Sequence, residues 1–214
     1  PRITLYGDKK KLLPYIHTRL QVCKEDSNDR INCRLPKNIK RKYTVPINYD
    51  LNIKLKWLEG LVDGDGTIIK SDNLTAIQIG SIHYEFLINV MYMLNTLGCN
   101  PKIRKSMDNG WRTLPDGKGG KEEFYCQTSY RLLITSHDVS KLATLGFNPK
   151  RLNISSIFPK NNTKRWLVVE NVENTGRISD TYCFKEEKRG MGIFNGILTG
   201  QCSEISLYSD DKEY

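Results

Sequence analysis

Two short stretches of this 214-residue chain hold residues whose types and spacing suit them to chemistry. In "LEGLVDGDG", Leu58 to Gly66, the carboxylates Asp63 and Asp65 flank Gly64 at the end of an apolar run. Negative charge at a helix carboxyl end opposes the macrodipole, so something must offset it. A divalent cation would do so, because hard cations take carboxylate and carbonyl oxygen, and Mg²⁺ takes a few such ligands plus water and phosphate. An Asp-Gly turn after an ordinary helix fits the same residues. In "NGILTGQC", Gln201 precedes Cys202. That thiol can accept an acyl group as a thioester. The Gln201 side-chain nitrogen can attack its own backbone carbonyl, closing a ring and breaking the Gln201–Cys202 bond.

The elements that must position these groups follow from periodicity. Ile53, Trp57, Leu58, Leu61 and Val62 recur near helical spacing from Leu51, and Gly64 and Gly66 end that helix. Gly60 and Gly64 lie on one helix face, where missing side chains let another helix approach closely. "TIIKS" and "LTAIQIGS" read as strands joined by Asp72 and Asn73, and "HYEFLINVMYMLNTLG" as an amphipathic helix stopping at Gly98. "KIRKSM" and "FYCQTSYRLLIT" form a second hairpin with the long tip "DNGWRTLPDGKGGKEE", followed by a helix over "SHDVSKLATLG" with Ser136 as N-cap. The order is helix, two strands, helix, two strands, helix: an α+β unit. After "FNPKRLN" the polar joint "PKNNTKR" sets a boundary near Lys160. Beyond it "WLVVENVENTGRISDTYCF" alternates as β, and "GIFNGILTG" reads as a short strand pair.

Charge points to the partner. The chain carries a formal +9, yet residues 202–214 hold four Asp/Glu against one Lys. Such a basic excess suits a polyanion, DNA or RNA first. Residues 1–50 have twelve Lys/Arg against five Asp/Glu, with a short helix around "KKLLPYIHTRL" broken at Pro14. This segment fits a basic binding element or a solvated arm. Lys70, Lys102, Arg104, Lys105, Arg112, Lys118, Lys121 and Arg131 lie in or beside the strands, able to track phosphates or simply to face water. Gln78, Gln127 and Thr128 are candidates for base edges. The tip "LPDGKGGK" lacks the spacing of a phosphate-binding loop. The longest apolar run, "FLINVMYML", is far short of the ~20 residues a bilayer requires, so a soluble chain with no membrane partner is expected. Six scattered cysteines with no C-x-x-C spacing argue against zinc and for a reducing, intracellular setting. The first residue is Pro rather than Met, which suggests a start inside a longer reading frame.

"LEGLVDGDG" closely resembles the motif of the LAGLIDADG homing endonucleases, and the element order from Leu51 to Leu152 resembles that family's αββαββα unit. The resemblance implies a four-stranded antiparallel sheet lying in the DNA major groove, and motif helices from two units packing through their glycines. It implies Asp65 as the catalytic metal carboxylate, with the Gly64 carbonyl as a further metal ligand, Asp63 as a weaker candidate and Gln78 in support. The reaction implied is Mg²⁺-dependent phosphodiester hydrolysis in double-stranded DNA. One motif is present, whereas cutting both strands needs two sites. A second unit is therefore an implied partner, by dimerisation or as an upstream remnant within residues 1–50.

"VVENVENTGRISDTYCFKEEKRGMGIFNGILTGQC" resembles the carboxyl-terminal half of an intein, an all-β splicing (Hint) segment. By that resemblance Gln201 cyclises into a six-membered ring, Cys202 receives the upstream chain, and Cys183 stands where many inteins keep an assisting Asp. All three histidines lie at or before His137, so the usual terminal ones are missing. The amino-terminal splicing half and the exteins are implied partners in a longer precursor. Finally "CSEISLYSDDKEY" resembles the large chain of class I ribonucleotide reductase around its active-site cysteine. There Cys202 would carry a thiyl radical and Glu204 would act as base. The expected organisation is a basic segment at 1–50, an endonuclease unit at 51–159, a splicing segment at 160–201 and a host stub at 202–214.

Overall fold

Period-two alternation in "TAIQIGS" and "SYRLLIT" sends one stripe of each strand against helices and leaves the other stripe free for a different task. The computed structural model describes residues 2–16, 22–25, 29–38, 42–71, 75–116, 119–157, 159, 171–180, 182–194 and 196–201. The chain divides into two units, Pro1–Asn162 and Thr163–Tyr214.

In the first unit, strands β4 (Gly66–Lys70), β5 (Thr75–Ser81), β9 (Ser129–Thr135) and β6 (Lys102–Met107) form a four-stranded sheet in the order β4-β5-β9-β6, every pair antiparallel. Register sets Ile68 opposite Ile77, and Ile77 opposite Ile134. This stripe, with Ile79, Leu132 and Ile103, faces a core built from three helices. Helix α2 (Leu51–Asp65) contributes Leu55, Leu58, Leu61 and Val62. Helix α3 (Tyr84–Asn95) adds Phe86, Leu87, Val90, Met93 and Leu94, and α4 (Ser136–Thr144) adds Val139 and Leu142. Each fully buried Leu or Ile stabilises by roughly 1.5–3 kcal/mol. Thr135, not Ser136, occupies the N-cap of α4, because Ser136 already has helical geometry and the extended Thr135 precedes it.

Several expectations need correction. The tip between β6 and β9 is not loop: it folds as its own hairpin, β7 (Gly110–Pro115) with β8 (Lys121–Cys126), which takes "FYC" away from the sheet strand. Trp111 opposite Tyr125, rings 5.7 Å apart, is the cross-strand aromatic pair that stabilises such a ribbon. Residues 1–50 contain a three-stranded sheet, β1 (Arg2–Tyr6), β3 (Arg30–Arg34) and β2 (Val22–Glu25), in the order β1-β3-β2. Pro14 does not break a helix there. It sits in the first turn of the short α1 (Leu13–Ile16), where its missing N–H has no intrahelical partner to lose. The expected β character of "WLVVENVENTGRISDTYCF" is absent from residues 171–180 and 182–186, which carry no strand. Val172, Ile178 and Tyr182 are 85%, 98% and 86% exposed, and a strand needs a neighbour to hold it.

The segment before α2 runs as a strap. Tyr43 packs edge-on against His83 and Phe86, at 4.7 and 5.2 Å between centroids, and Val45 and Ile47 lie against the core. On α2 itself, Ile53 is exposed and lies off the core stripe, whereas the half-buried Trp57 packs against the core with its ring edge-on to Phe86, 6.4 Å between centroids. A Cβ built on Gly60 or Gly64 meets nothing within 4 Å.

In the second unit, β10 (Met191–Phe194) and β11 (Ile197–Gly200) form the expected hairpin, with Phe194 opposite Ile197 and Gly196 at φ +82°. No helix among the described residues is long and apolar enough to cross a membrane. Leu132→Ala is expected to destabilise the first unit by about 2–5 kcal/mol in urea denaturation. Leu114→Ala, on the outlying hairpin, should stay within about 0.5 kcal/mol.

Candidate functional site

The carboxyl end of α2 resolves the fate of its acids. Asp63 is buried: its Oδ2 accepts from the Lys150 N–H at 2.7 Å, and its Oδ1 from the N–H groups of Arg151 and Leu152 at 2.8 and 3.4 Å. One turn earlier, the buried Glu59 accepts from the Asn148 N–H at 2.9 Å. Two carboxylates four residues apart thus hold the 148–152 loop along the helix. The loop answers with Arg151, whose guanidinium donates to the carbonyls of Val62, Asp63 and Gly66. Arg151 thus places positive charge at the helix carboxyl end, opposite in sign to the macrodipole there. The chain leaves the helix immediately as β4. Gly66 is obligatory there, because a Cβ would sit 2.5 Å from the Val62 carbonyl oxygen.

Asp65 has the opposite environment. Its side chain is 38% exposed, and Oδ2 accepts from Lys42 Nζ at 2.8 Å, at the start of the strap. An exposed pair of this kind contributes about 1 kcal/mol at most. Gln78 on β5 stands opposite Thr67, two residues beyond Asp65. Among the described residues, no three His, Cys, Asp or Glu side chains converge on a common point.

The sheet face away from the helices carries Thr67, Gln78, Arg131, Lys102 and Arg104 over an apolar floor of Ala76 and Leu133. Arg104 lies directly opposite Arg131, and neither has a carboxylate partner among the described residues. Like charges in register destabilise a sheet unless an anion joins them. The Nε of Arg131, like that of Arg112, is buried with no hydrogen-bond partner among the described residues. The remaining basic candidates scatter. Lys70 shares the helix-side stripe and reaches Ser156, and Lys105 pairs with Asp108 at 2.6 Å, which raises its pKa above the ordinary lysine value. Lys121 and Arg112 belong to the β7–β8 hairpin, Gln127 and Thr128 to the joint before β9, and Lys118 lies outside the described residues.

At the other end, the Gln201 N–H donates to the Gly190 carbonyl, and Gln201 Oε1 accepts from the Glu186 N–H at 2.9 Å. The Glu186 carboxylate accepts from the backbone N–H groups of Lys188, Arg189 and Gly190. The Arg189 N–H, then that of Lys188, holds the Glu186 pKa below the ordinary carboxylate value. Phe184 stacks on Phe194, centroids 4.9 Å apart, over Gly192, whose Cβ would lie 2.8 Å from Phe194 and 3.0 Å from Phe184. Cys183 is exposed, and Cys202 and Glu204 lie outside the described residues. Periodicity gives no hint of Lys42, Arg151 or Glu186. Only the four-residue spacing of Glu59 and Asp63, with both turned inward, signals that α2 binds a loop.

Residues 52–145 match the family model described as a LAGLIDADG-like domain. The chain is similar to the ribonucleoside-diphosphate reductase large subunit of Invertebrate iridescent virus 6, 41% identical over 210 residues, which cover 98% of this chain and 22% of that protein. It is also similar to the ribonucleoside-diphosphate reductase NrdEB subunit alpha of Bacillus subtilis (strain 168), 28% identical over 176 residues, or 73% of this chain and 16% of that one. This chain thus spans about a fifth of these relatives' length. Among solved structures, mesophilic variants of the homing endonuclease I-DmoI superpose with a TM-score of 0.41 at 15% identity, covering 67% of this chain and 77% of theirs. I-DmoI in complex with DNA and Ca gives 0.40 at 16%, covering 70% and 77%.

Asp63→Ala, which strips three backbone amides of their acceptor, should cost about 3 kcal/mol in chemical denaturation, whereas Asp65→Ala should change stability by less than about 1 kcal/mol. Because the Glu186 pKa is lowered on folding, its turn is held fully above the ordinary carboxylate pKa. The turn should be lost as pH falls through the lower folded value, read as rising amide exchange at residues 188–190.

Proposed function

We propose, from the premise that residues 52–145 belong to the LAGLIDADG-like domain family, that this chain is part of an intein within a ribonucleotide reductase large chain. It joins a site-specific DNA endonuclease unit at 51–159 to the carboxyl-terminal splicing segment at 160–201 and a host stub at 202–214. The observation that carries the nuclease reading is the paired, unneutralised Arg104 and Arg131 on the sheet face away from the helices. Such a face suits a phosphate backbone, with Lys102 adding a further contact and Gln78 and Gln127 able to reach base edges.

One carboxylate and its neighbouring carbonyls make half of a cation site. Asp65 and the Gly64 carbonyl would hold Mg²⁺, with phosphate oxygen and a second motif supplying the rest. A divalent ion held by these groups would supply activation of water and stabilisation of the leaving oxygen. The second motif would dock on the Gly60/Gly64 face of α2, where a Cβ at either glycine meets nothing within 4 Å among the described residues. Asp63, fully engaged by the 150–152 amides, acts structurally. In the splicing segment, Gln201 cyclises and Cys202 accepts the upstream chain. Exposed Val172, Ile178 and Tyr182 await the amino-terminal splicing half. After excision Cys202 and Glu204 would serve the reductase. A second reading, a DNA- or RNA-binding module with an inactive centre, is favoured by Lys42, which occupies the Asp65 oxygen that a metal would need.

A duplex spanning the uninterrupted insertion site separates the two. Mg²⁺-dependent cutting of both strands, lost in Asp65→Asn, is expected. Tight binding with no cutting at any Mg²⁺ concentration supports the second reading. Gly60→Val should leave stability within about 0.5 kcal/mol yet abolish double-strand cutting. Arg131→Ala should lower the salt slope of DNA binding by about one.

A further inference from the structure

We propose that Glu186 is a positioning residue for scission at the Gln201–Cys202 bond, holding the Gln201 carboxamide ready for ring closure. The proposal rests on the splicing reading above. It adds how a chain with no histidine after His137 orients its terminal amide.

The Glu186 carboxylate gathers the backbone N–H groups of Lys188, Arg189 and Gly190 and so folds 186–190 into a turn. Gly190 completes that turn at φ +61°, a conformation that favours glycine. The turn then grips Gln201 twice, through the Gly190 carbonyl on its backbone N–H and through the Glu186 N–H on its Oε1. The hairpin register, Met191 opposite Gly200, keeps Gln201 beside Gly190, and the Phe184–Phe194 stack ties residues 182–186 to the same hairpin.

A backbone N–H can only donate, so the carboxamide atom facing Glu186 is the oxygen. The nitrogen, Nε2, is left without a partner among the described residues. In the reaction a bond forms between Nε2 and the Gln201 carbonyl carbon, the bond from that carbon to the Cys202 nitrogen breaks, and one proton passes from Nε2 to the departing amine. A glutamine has one more rotatable bond than an asparagine, so its ring closure loses more conformational freedom. A tether on the carboxamide removes part of that loss before the reaction begins.

The 214-residue chain is followed by mass spectrometry for release of residues 202–214, while amide hydrogen exchange follows residues 188–190 and 201. The unaltered chain should release the peptide and Gln201→Ala should not. Glu186→Ala should slow release roughly tenfold or more. Glu186→Gln, which keeps one acceptor oxygen, should fall between. Both should lose exchange protection at 188–190 and 201, and Glu187→Gln should change neither measurement. Protection that survives Glu186→Ala overturns the proposal, as does protection lost with release unchanged. No release from the unaltered chain, with protection intact at 188–190, removes the splicing reading itself and leaves Glu186 a turn residue only.

Discussion

Arg151 donates to three carbonyls at the carboxyl end of α2, and the Asp63 carboxylate takes the amides of the loop that carries Arg151. Each partner satisfies what the other cannot: a helix end has carbonyls to spare, and a tight loop has amides. Because the exchange is buried, breaking either half strands polar groups away from water. The sharp exit from α2 into β4 depends on this closure, and the exit sets where Asp65 projects and how Thr67 meets Gln78. The placement of Asp65 and Gln78 therefore rests on a purely structural pairing between residues some ninety positions apart.

Much of this was legible in the residues. The alternating strands around Ile77 and Ile134, and the helical stripes of α2 and α3, follow from apolar spacing that only one face of each element can satisfy. The β10–β11 hairpin follows from Asn-Gly between two short apolar runs. What periodicity could not show was pairing at long range. A run of Trp111, Arg112 and Leu114 among turn residues reads as a loop tip until Tyr125 and Phe124 are known to lie across from it. Residues 2–6 and 30–34 look merely basic, yet backbone pairing around the buried Leu5 and Cys33 makes them strands. The reverse error occurred at 171–180, where alternation promised a strand that had no neighbour. Within the site, Asp63 and Asp65 are indistinguishable by type and spacing, and only burial separates the structural acid from the exposed one.

Asp63 and Glu186 use the same device, a carboxylate collecting successive backbone amides, at two turns of the chain. They differ in exposure, and that difference changes what the device is good for. Shielded from water, Asp63 acts as a permanent fixture of the fold. Glu186 is only half-buried, and its turn is held by hydrogen bonds that its charged carboxylate accepts. A fixture suits a scaffold, and a releasable turn would suit the scission proposed at Gln201–Cys202.

The facing pair Arg104 and Arg131 has a consequence for the protein when it is alone. Two guanidinium groups held side by side repel, and dissolved ions shorten the reach of that repulsion. The same ions compete for the phosphates such a face would bind. Ionic strength would therefore act on this face in opposite senses: dilute buffer would favour the proposed complex while straining the empty sheet, and concentrated salt would relax the sheet while weakening phosphate binding.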